Sequence, residues 1–225
     1  MELVALRGAN WHFPEDSMAA FRRALQDGAQ VLEMDVYMTK DEVMAVHHES
    51  VWHGKKIAKI RYEALAFEVP SFEEVLLAFP TIKFNVDIAS RDLKAVYLTV
   101  DMIRKHGAAS RVCLSSESVE VQHWLSDLKY EGERSLSYFE ILAVFLLPVP
   151  WLKAFHLSNR RAQVPVRLGP FYFDSLYFIR KCHSLGILVD YRVVNQLQVA
   201  RKLAHLGADR ITTDDPATLV SLSLA

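Results

Sequence analysis

The chain has 225 residues, of which 51% are hydrophobic, and its 26 Lys and Arg against 27 Asp and Glu give a formal net charge of -1. This length suffices for one domain with a large core, and the balanced charge excludes a global positive field for nucleic acid or an anionic membrane. We therefore expect a single domain over residues 1–225, no nucleic-acid partner, and local recognition of any phosphate.

The start of the chain, Met1–Leu3, lacks the basic residues and long apolar run of a signal peptide. The two cysteines, Cys113 and Cys182, lie far apart in sequence. From these features we expect a cytoplasmic protein with reduced thiols.

The longest apolar stretch, Ile141–Trp151, is interrupted by Pro148 and Pro150. It is shorter than the ~20 residues that a membrane-spanning helix needs, so no transmembrane segment is expected. The pattern favours a helix packed on the core and ended by proline. Weak association with a membrane surface through Ile141–Trp151 is the open alternative.

Apolar runs of strand length alternate with amphipathic segments of helix length along the chain, which is typical of a parallel sheet built from βα units. Eight strand candidates are present, the fifth being the weakest: Leu3–Ala5, Val31–Val36, Lys83–Ile88, Val112–Ser115, the residues around Leu136, Gln163–Val166, Ile187–Val194 and Arg210–Thr213. The pattern predicts an α/β fold, a closed (β/α)8 TIM barrel, with an open doubly wound sheet as the alternative.

Helix boundaries are marked by capping residues. Asp16 or Ser17 is expected to cap the first helix, and Ser71 with Glu74 forms the sequence pattern of a capping box. Four glycines are expected to close helices, where a left-handed residue is favoured: Gly28, Gly107, Gly186 and Gly207. His53, His123 and His156 carry no spacing signal and are expected to be surface or packing residues.

Carboxylates recur on the same face of two predicted strands. Glu33 and Asp35 are two apart within an apolar run, so both side chains point the same way. In Lys83–Ile88 the alternation turns Asp87 toward the barrel interior as well. Because crowded anions repel one another, a hard divalent cation with oxygen ligands is the leading interpretation. His47 and His48, which follow the apolar run Val43–Val46, suggest metal-assisted hydrolysis.

Four motifs in this order resemble the glycerophosphodiester phosphodiesterase family: Arg7-Gly8, Pro14-Glu15-Asp16-Ser17, Glu33-Met34-Asp35-Val36 and His48-Glu49. Asn85-Val86-Asp87-Ile88, Val193-Val194-Asn195 and Ile211-Thr212-Thr213-Asp214-Asp215-Pro216 extend the resemblance over nearly the whole chain. The family fold is a (β/α)8 barrel, which agrees with the strand count.

The resemblance implies a metal-dependent phosphoric diester hydrolase of lipid and glycerol metabolism that converts a small glycerophosphodiester and water to glycerol 3-phosphate and an alcohol. It implies Mg²⁺ or Ca²⁺ as cofactor, held by Glu33, Asp35 and Asp87. Arg7 would bind the phosphate, and His48 would be one of the family's two proton-carrying histidines.

The chain departs from the family pattern at three positions. The other catalytic histidine falls on Leu6, the family's lysine falls on Ala89, and its active-site tryptophan falls on Arg192. Leucine carries no proton, and loss of one acid-base group predicts a rate lower by about 10²–10⁴-fold.

Two alternatives stay open at this stage. In a rewired enzyme, Arg192 binds substrate and supplies the lost positive charge, while His12 or His47 replaces the missing histidine. An arginine stays protonated and therefore does not carry protons. The second alternative is an impaired relative that binds a cation or a phosphodiester without turnover.

Overall fold

The computed structural model describes residues 1–155, 157 and 160–222. Eight parallel strands form the barrel: β1 Glu2–Leu6, β2 Val31–Met38, β3 Lys83–Ile88, β4 Val112–Ser115, β5 Glu133–Ser135, β6 Arg160–Val164, β7 Ile187–Tyr191 and β8 Arg210–Thr213. A ninth strand of the same sheet, Met44–Val46, pairs antiparallel with β2. Strand β1 pairs with β8 on one side and with β2 on the other, so the sheet closes on itself. The closed (β/α)8 barrel is confirmed, and the open doubly wound sheet is wrong.

Helices follow the barrel strands: α1 Met18–Gln26, α2 Phe72–Ala78, α3 Leu93–Lys105, α4 Val119–Asp127, α5 Tyr138–Leu146, α6 Val149–Leu152, α7 Leu176–Ser184, α8 Leu197–Leu206 and α9 Pro216–Leu219. The cap of α1 is Ser17, whose hydroxyl accepts from the Ala20 N–H, and Ser71 with Glu74 forms the predicted capping box of α2. The four closing glycines all have positive φ. His156 lies outside the described residues.

The apolar core lies between the strands and the helices. In β3, Phe84, Val86 and Ile88 are fully buried in this layer, as the alternation predicts. The barrel interior is polar instead. There Arg161 donates to the two oxygens of Asp190 at 2.6 and 2.7 Å, and Arg210 donates to Glu2 at 2.8 Å. Ion pairs therefore fill the lower part of the barrel, away from the carboxyl ends of the strands.

The apolar segment Ile141–Trp151 covers most of α5 and the start of α6, two helices that are separated by Pro148. Phe145 packs against a cluster of phenylalanine rings with centroids 5.3–6.1 Å away, whereas Leu146 and Trp151 are 60% and 67% exposed. The predicted packed helix ended by proline is confirmed. Across residues 1–155, 157 and 160–222, no helix is both long and apolar enough to span a membrane. Surface association stays a prediction.

Candidate active site

A cavity of about 390 Å³ opens at the carboxyl ends of the barrel strands, the face that carries the active site in barrels of this kind. Its lining is polar and rich in charge: Arg7, Asp35, Tyr37, His48, Ser50, Asp87, Ala89, Arg91, Ser116, Glu117, Ser118 and Arg192. Nearly all of these residues lie at the ends of strands or in the loops that follow them. Glu33 lies against the cavity through its contact with Arg192.

Strands β2 and β3 bring the three predicted carboxylates together. Their register pairs Glu33 with Asn85 and Asp35 with Asp87, so the four side chains share the inner face of the sheet. Glu33 is 4% exposed, and one of its carboxylate oxygens accepts from the backbone N–H of Arg7 at 3.2 Å. Asp87 accepts from the Ser115 hydroxyl at 3.1 Å. The sequence prediction of inward-facing acids is therefore met.

Burial dominates the acid-base properties of two of these acids. It raises the pKa of Glu33 to about 8, with the charges of Asp35 and Asp87 adding to the effect and Arg192 opposing it. Burial also raises the pKa of Asp87 to about 6, and repulsion from Asp35 contributes. Burying an ionised carboxylate is costly unless a positive group compensates its charge. Nearby positive charge therefore decides whether these acids are ionised.

Arg7 occupies a sharp turn at the end of β1. Its φ is 54°, and the following Gly8 has φ 81° and lies so close to α1 that an added Cβ would come within 2.7 Å of the Ala20 carbonyl carbon. The side chain forms an ion pair with Glu15 at 3.0 Å, and its Nε lies 3.6 Å from an oxygen of Asp35. The turn thus places a guanidinium at the cavity wall beside Asp35.

His48 is held by Asp35. Its Nδ1 lies 2.8 Å from a carboxylate oxygen of Asp35, and the ring lines the cavity. A short strand, Met44–Val46, runs antiparallel to β2 and brings the following residues back toward the strand end. Such a carboxylate contact orients the imidazole and favours a proton on Nδ1, which leaves Nε2 to exchange a proton.

Neither of the two histidines considered as replacements lies in this cavity. The ring of His47 contacts the carbonyl of Glu49, and the residue lines a separate surface depression. His12 is exposed in the loop after β1 and is not among the lining residues. Within the described part of the chain, His48 is the one histidine of the cavity wall.

The three departures lie in or beside the cavity. Leu6 pairs in register with Glu33 and is 8% exposed, so an apolar side chain lies next to the buried carboxylate. Ala89 follows β3 in the cavity wall. Arg192 follows β7, and its guanidinium reaches across to Glu33, with Nη2 3.3 Å from the carboxylate. Nη1 donates to Gln163 of β6, also at 3.3 Å.

Sequence reasoning missed three charged residues here. Arg91 and Glu117 line the cavity from the loops after β3 and β4. Asp16 was a candidate helix cap, but it is 2% exposed and neither of its carboxylate oxygens has a hydrogen-bond partner among the described residues. Burial, together with the charges of Glu33 and Asp35, raises its pKa well above the usual range.

The carboxylates have the donor atoms that Mg²⁺ or Ca²⁺ prefers, but their present contacts do not fit a bound cation. Glu33 contacts Arg192, Asp35 contacts His48, and Asp87 contacts Ser115. Over the described residues, no group of three or more His, Cys, Asp or Glu side chains is arranged to hold a metal ion. The divalent cation stays a prediction.

Comparison with known proteins agrees with the fold and the motifs. The model described as "Glycerophosphoryl diester phosphodiesterase family" matches residues 7–218. A glycerophosphodiester phosphodiesterase of Bacillus altitudinis is 44% identical, covering 98% of this chain and 97% of its own length.

Two solved structures have the same fold. The glycerophosphodiester phosphodiesterase of Agrobacterium tumefaciens has a TM-score of 0.80 at 19% identity, covering 98% of this chain and 99% of its own. An Oleispira antarctica phosphodiesterase, solved in complex with sn-glycerol-3-phosphate, has a TM-score of 0.78 at 16% identity, covering 100% and 97%. The family match and the close Bacillus relative together decide the assignment: this chain belongs to the glycerophosphoryl diester phosphodiesterase family.

Proposed function

We propose that this chain hydrolyses a glycerophosphodiester to glycerol 3-phosphate and an alcohol, at a rate limited by His48, the one histidine that the described residues contribute to the cavity. The observation that carries this proposal is the contact between His48 and Asp35 in a cavity that also presents arginines. The family membership and the product held by the Oleispira relative support the choice of substrate.

The phosphate would be bound by Arg7 and Arg91. Both line the cavity, and the planar array of N–H donors on a guanidinium suits a phosphate. Arg91 forms no ion pair with an acid among the described residues, so its charge is available to a ligand. An anionic substrate would therefore meet positive charge next to the ring of His48.

His48 would act twice in the reaction. With Nδ1 bonded to Asp35, Nε2 accepts a proton from water as the water oxygen bonds to phosphorus. The bond from phosphorus to the alcohol oxygen then breaks, and Nε2 returns the proton to that oxygen. The single imidazole of His48 thus transfers protons for both the attacking water and the leaving alcohol, a task that the family pattern divides between two histidines. Leu6, at the position of the second histidine, transfers no proton.

The test is release of glycerol 3-phosphate from glycerophosphoethanolamine, measured in Mg²⁺, in Ca²⁺ and in EDTA. Comparing the rates with and without a divalent cation shows whether the reaction needs the predicted cation or proceeds with the arginines of the cavity alone. We expect His48→Gln to lower kcat by at least about 10²-fold. His47→Gln is the matched control, since that ring lies outside the cavity. Turnover that survives His48→Gln would refute this mechanism.

Leu6 favours a second candidate function, which is binding of a phosphodiester without turnover. An apolar, 8% exposed side chain stands where the family pattern has its other proton carrier. In that case no product forms under any cation condition, but calorimetry still detects glycerol 3-phosphate binding, which Arg7→Gln weakens.

A further inference from the structure

Arg192 reaches the carboxylates of β2 and β3 from a distant strand of the barrel. It follows β7, which is separated from β2 by β8 and β1, yet its Nη2 lies 3.3 Å from Glu33. Its other terminal nitrogen donates to Gln163 at 3.3 Å, which holds the guanidinium between β6 and β2. The side chain is one-third exposed and Glu33 is nearly fully buried, so this positive charge covers the cluster from the cavity side.

A guanidinium in this position and a divalent cation exclude each other. The guanidinium stays protonated at any working pH, so it repels a second cation bound to the same carboxylate. Both carboxylate oxygens of Glu33 already accept hydrogen bonds, one from Arg192 and the other from the backbone N–H of Arg7.

Three arginines and three acids line the cavity: Arg7, Arg91 and Arg192 with Asp35, Asp87 and Glu117. A fourth acid, Glu33, lies behind this lining and is paired with Arg192. Since Arg91 lines the cavity and forms no ion pair with an acid among the described residues, its charge is available to an anionic phosphodiester.

We propose that Arg192 takes the place of the divalent cation, so that this member of the family binds its phosphodiester in a metal-independent site. The guanidinium neutralises Glu33 from within the chain, and the substrate phosphate is bound by arginine alone. The inference rests on the proposed function only for the nature of the ligand.

The experiment is calorimetric titration with Ca²⁺ alone. Because no substrate is present, the proposal is tested whether or not the protein is active. We expect the wild type to bind Ca²⁺ at least tenfold more weakly than Arg192→Gln or Arg192→Met, two variants that remove the charge. Arg192→Lys keeps the charge and should behave like the wild type. Arg91→Gln, the matched control, removes a cavity arginine that does not contact Glu33 and should not create a Ca²⁺ site.

Glu33→Gln added to Arg192→Gln should abolish the gained Ca²⁺ binding, which places the new site on that carboxylate. Thermal unfolding shows which variants are folded. If either Arg192→Gln or Arg192→Met fails to fold, the other still tests the proposal. Equal Ca²⁺ affinity of the wild type and a folded charge-removing variant, whether both bind or neither does, would overturn the proposal.

Discussion

Replacing Leu6 by histidine tests whether one lost proton carrier limits this site. Leu6 ends β1, pairs in register with Glu33 and is 8% exposed, so an imidazole there would lie beside the buried acid and near the cavity. A positioned acid-base group contributes about 10²–10⁴-fold. This corresponds to about 2.7–5.4 kcal/mol of activation free energy at about 1.36 kcal/mol per decade. We expect Leu6→His to raise kcat for glycerophosphoethanolamine by that range.

The assay measures glycerol 3-phosphate release across pH 5–9, and Leu6→Asn is the control because it is polar, similar in size to leucine and unable to transfer a proton near neutral pH. The histidine variant should gain an ionisation near the ordinary imidazole pKa, about 6.5, that the control lacks. If a folded Leu6→His enzyme has the same rate and pH profile as Leu6→Asn, the missing histidine does not limit catalysis.

Three further changes test other parts of the structure. Asp190→Ala leaves the buried Arg161 without its 2.6 Å partner, which costs about 3–5 kcal/mol and should lower Tm in calorimetry by roughly 6–20 °C; an unchanged Tm would contradict the interior ion pair. Burial raises the pKa of Asp16, so the wild type should lose stability as pH rises from the usual carboxyl range to that raised pKa. Urea unfolding should show Asp16→Asn to be more stable than the wild type at pH 8 but not at pH 4, and equal curves at both values would rule this out. Phe139→Ser with Trp151→Ser removes two exposed rings and should reduce any liposome flotation; flotation that persists would place membrane contact elsewhere.

The barrel was predictable where strand periodicity is clean. Lys83–Ile88 matches β3 residue for residue, because its outward positions are apolar and its inward positions are not. The sixth strand was expected at Gln163–Val166 but covers Arg160–Val164. Arg160 and Arg161 are buried through ion pairs with acids on other elements, and hydropathy along one segment does not register such partners.

Some residues of the site could be predicted from local sequence motifs, whereas others are recognised only from their place in the folded chain. Several residues that the motifs carry line the cavity, among them Arg7, Asp35 and His48. Arg91 was missed because it follows β3 in a loop that no motif marks. The two candidates for the first helix cap are equivalent in sequence, and only the structure shows that Ser17 caps the helix while Asp16 is buried.

Two of the three departures from the family pattern meet at a single carboxylate. Leu6 lies next to Glu33 in the sheet, and Arg192 pairs with it from across the barrel. Residues that share a partner do not contribute additively to stability or activity. A histidine at position 6 beside a Glu33 already neutralised by Arg192 has a different environment from one beside an unpaired Glu33. The effect of Leu6→His should therefore differ between the wild type and Arg192→Gln, and a double-mutant cycle that is additive would mean that the two departures act independently.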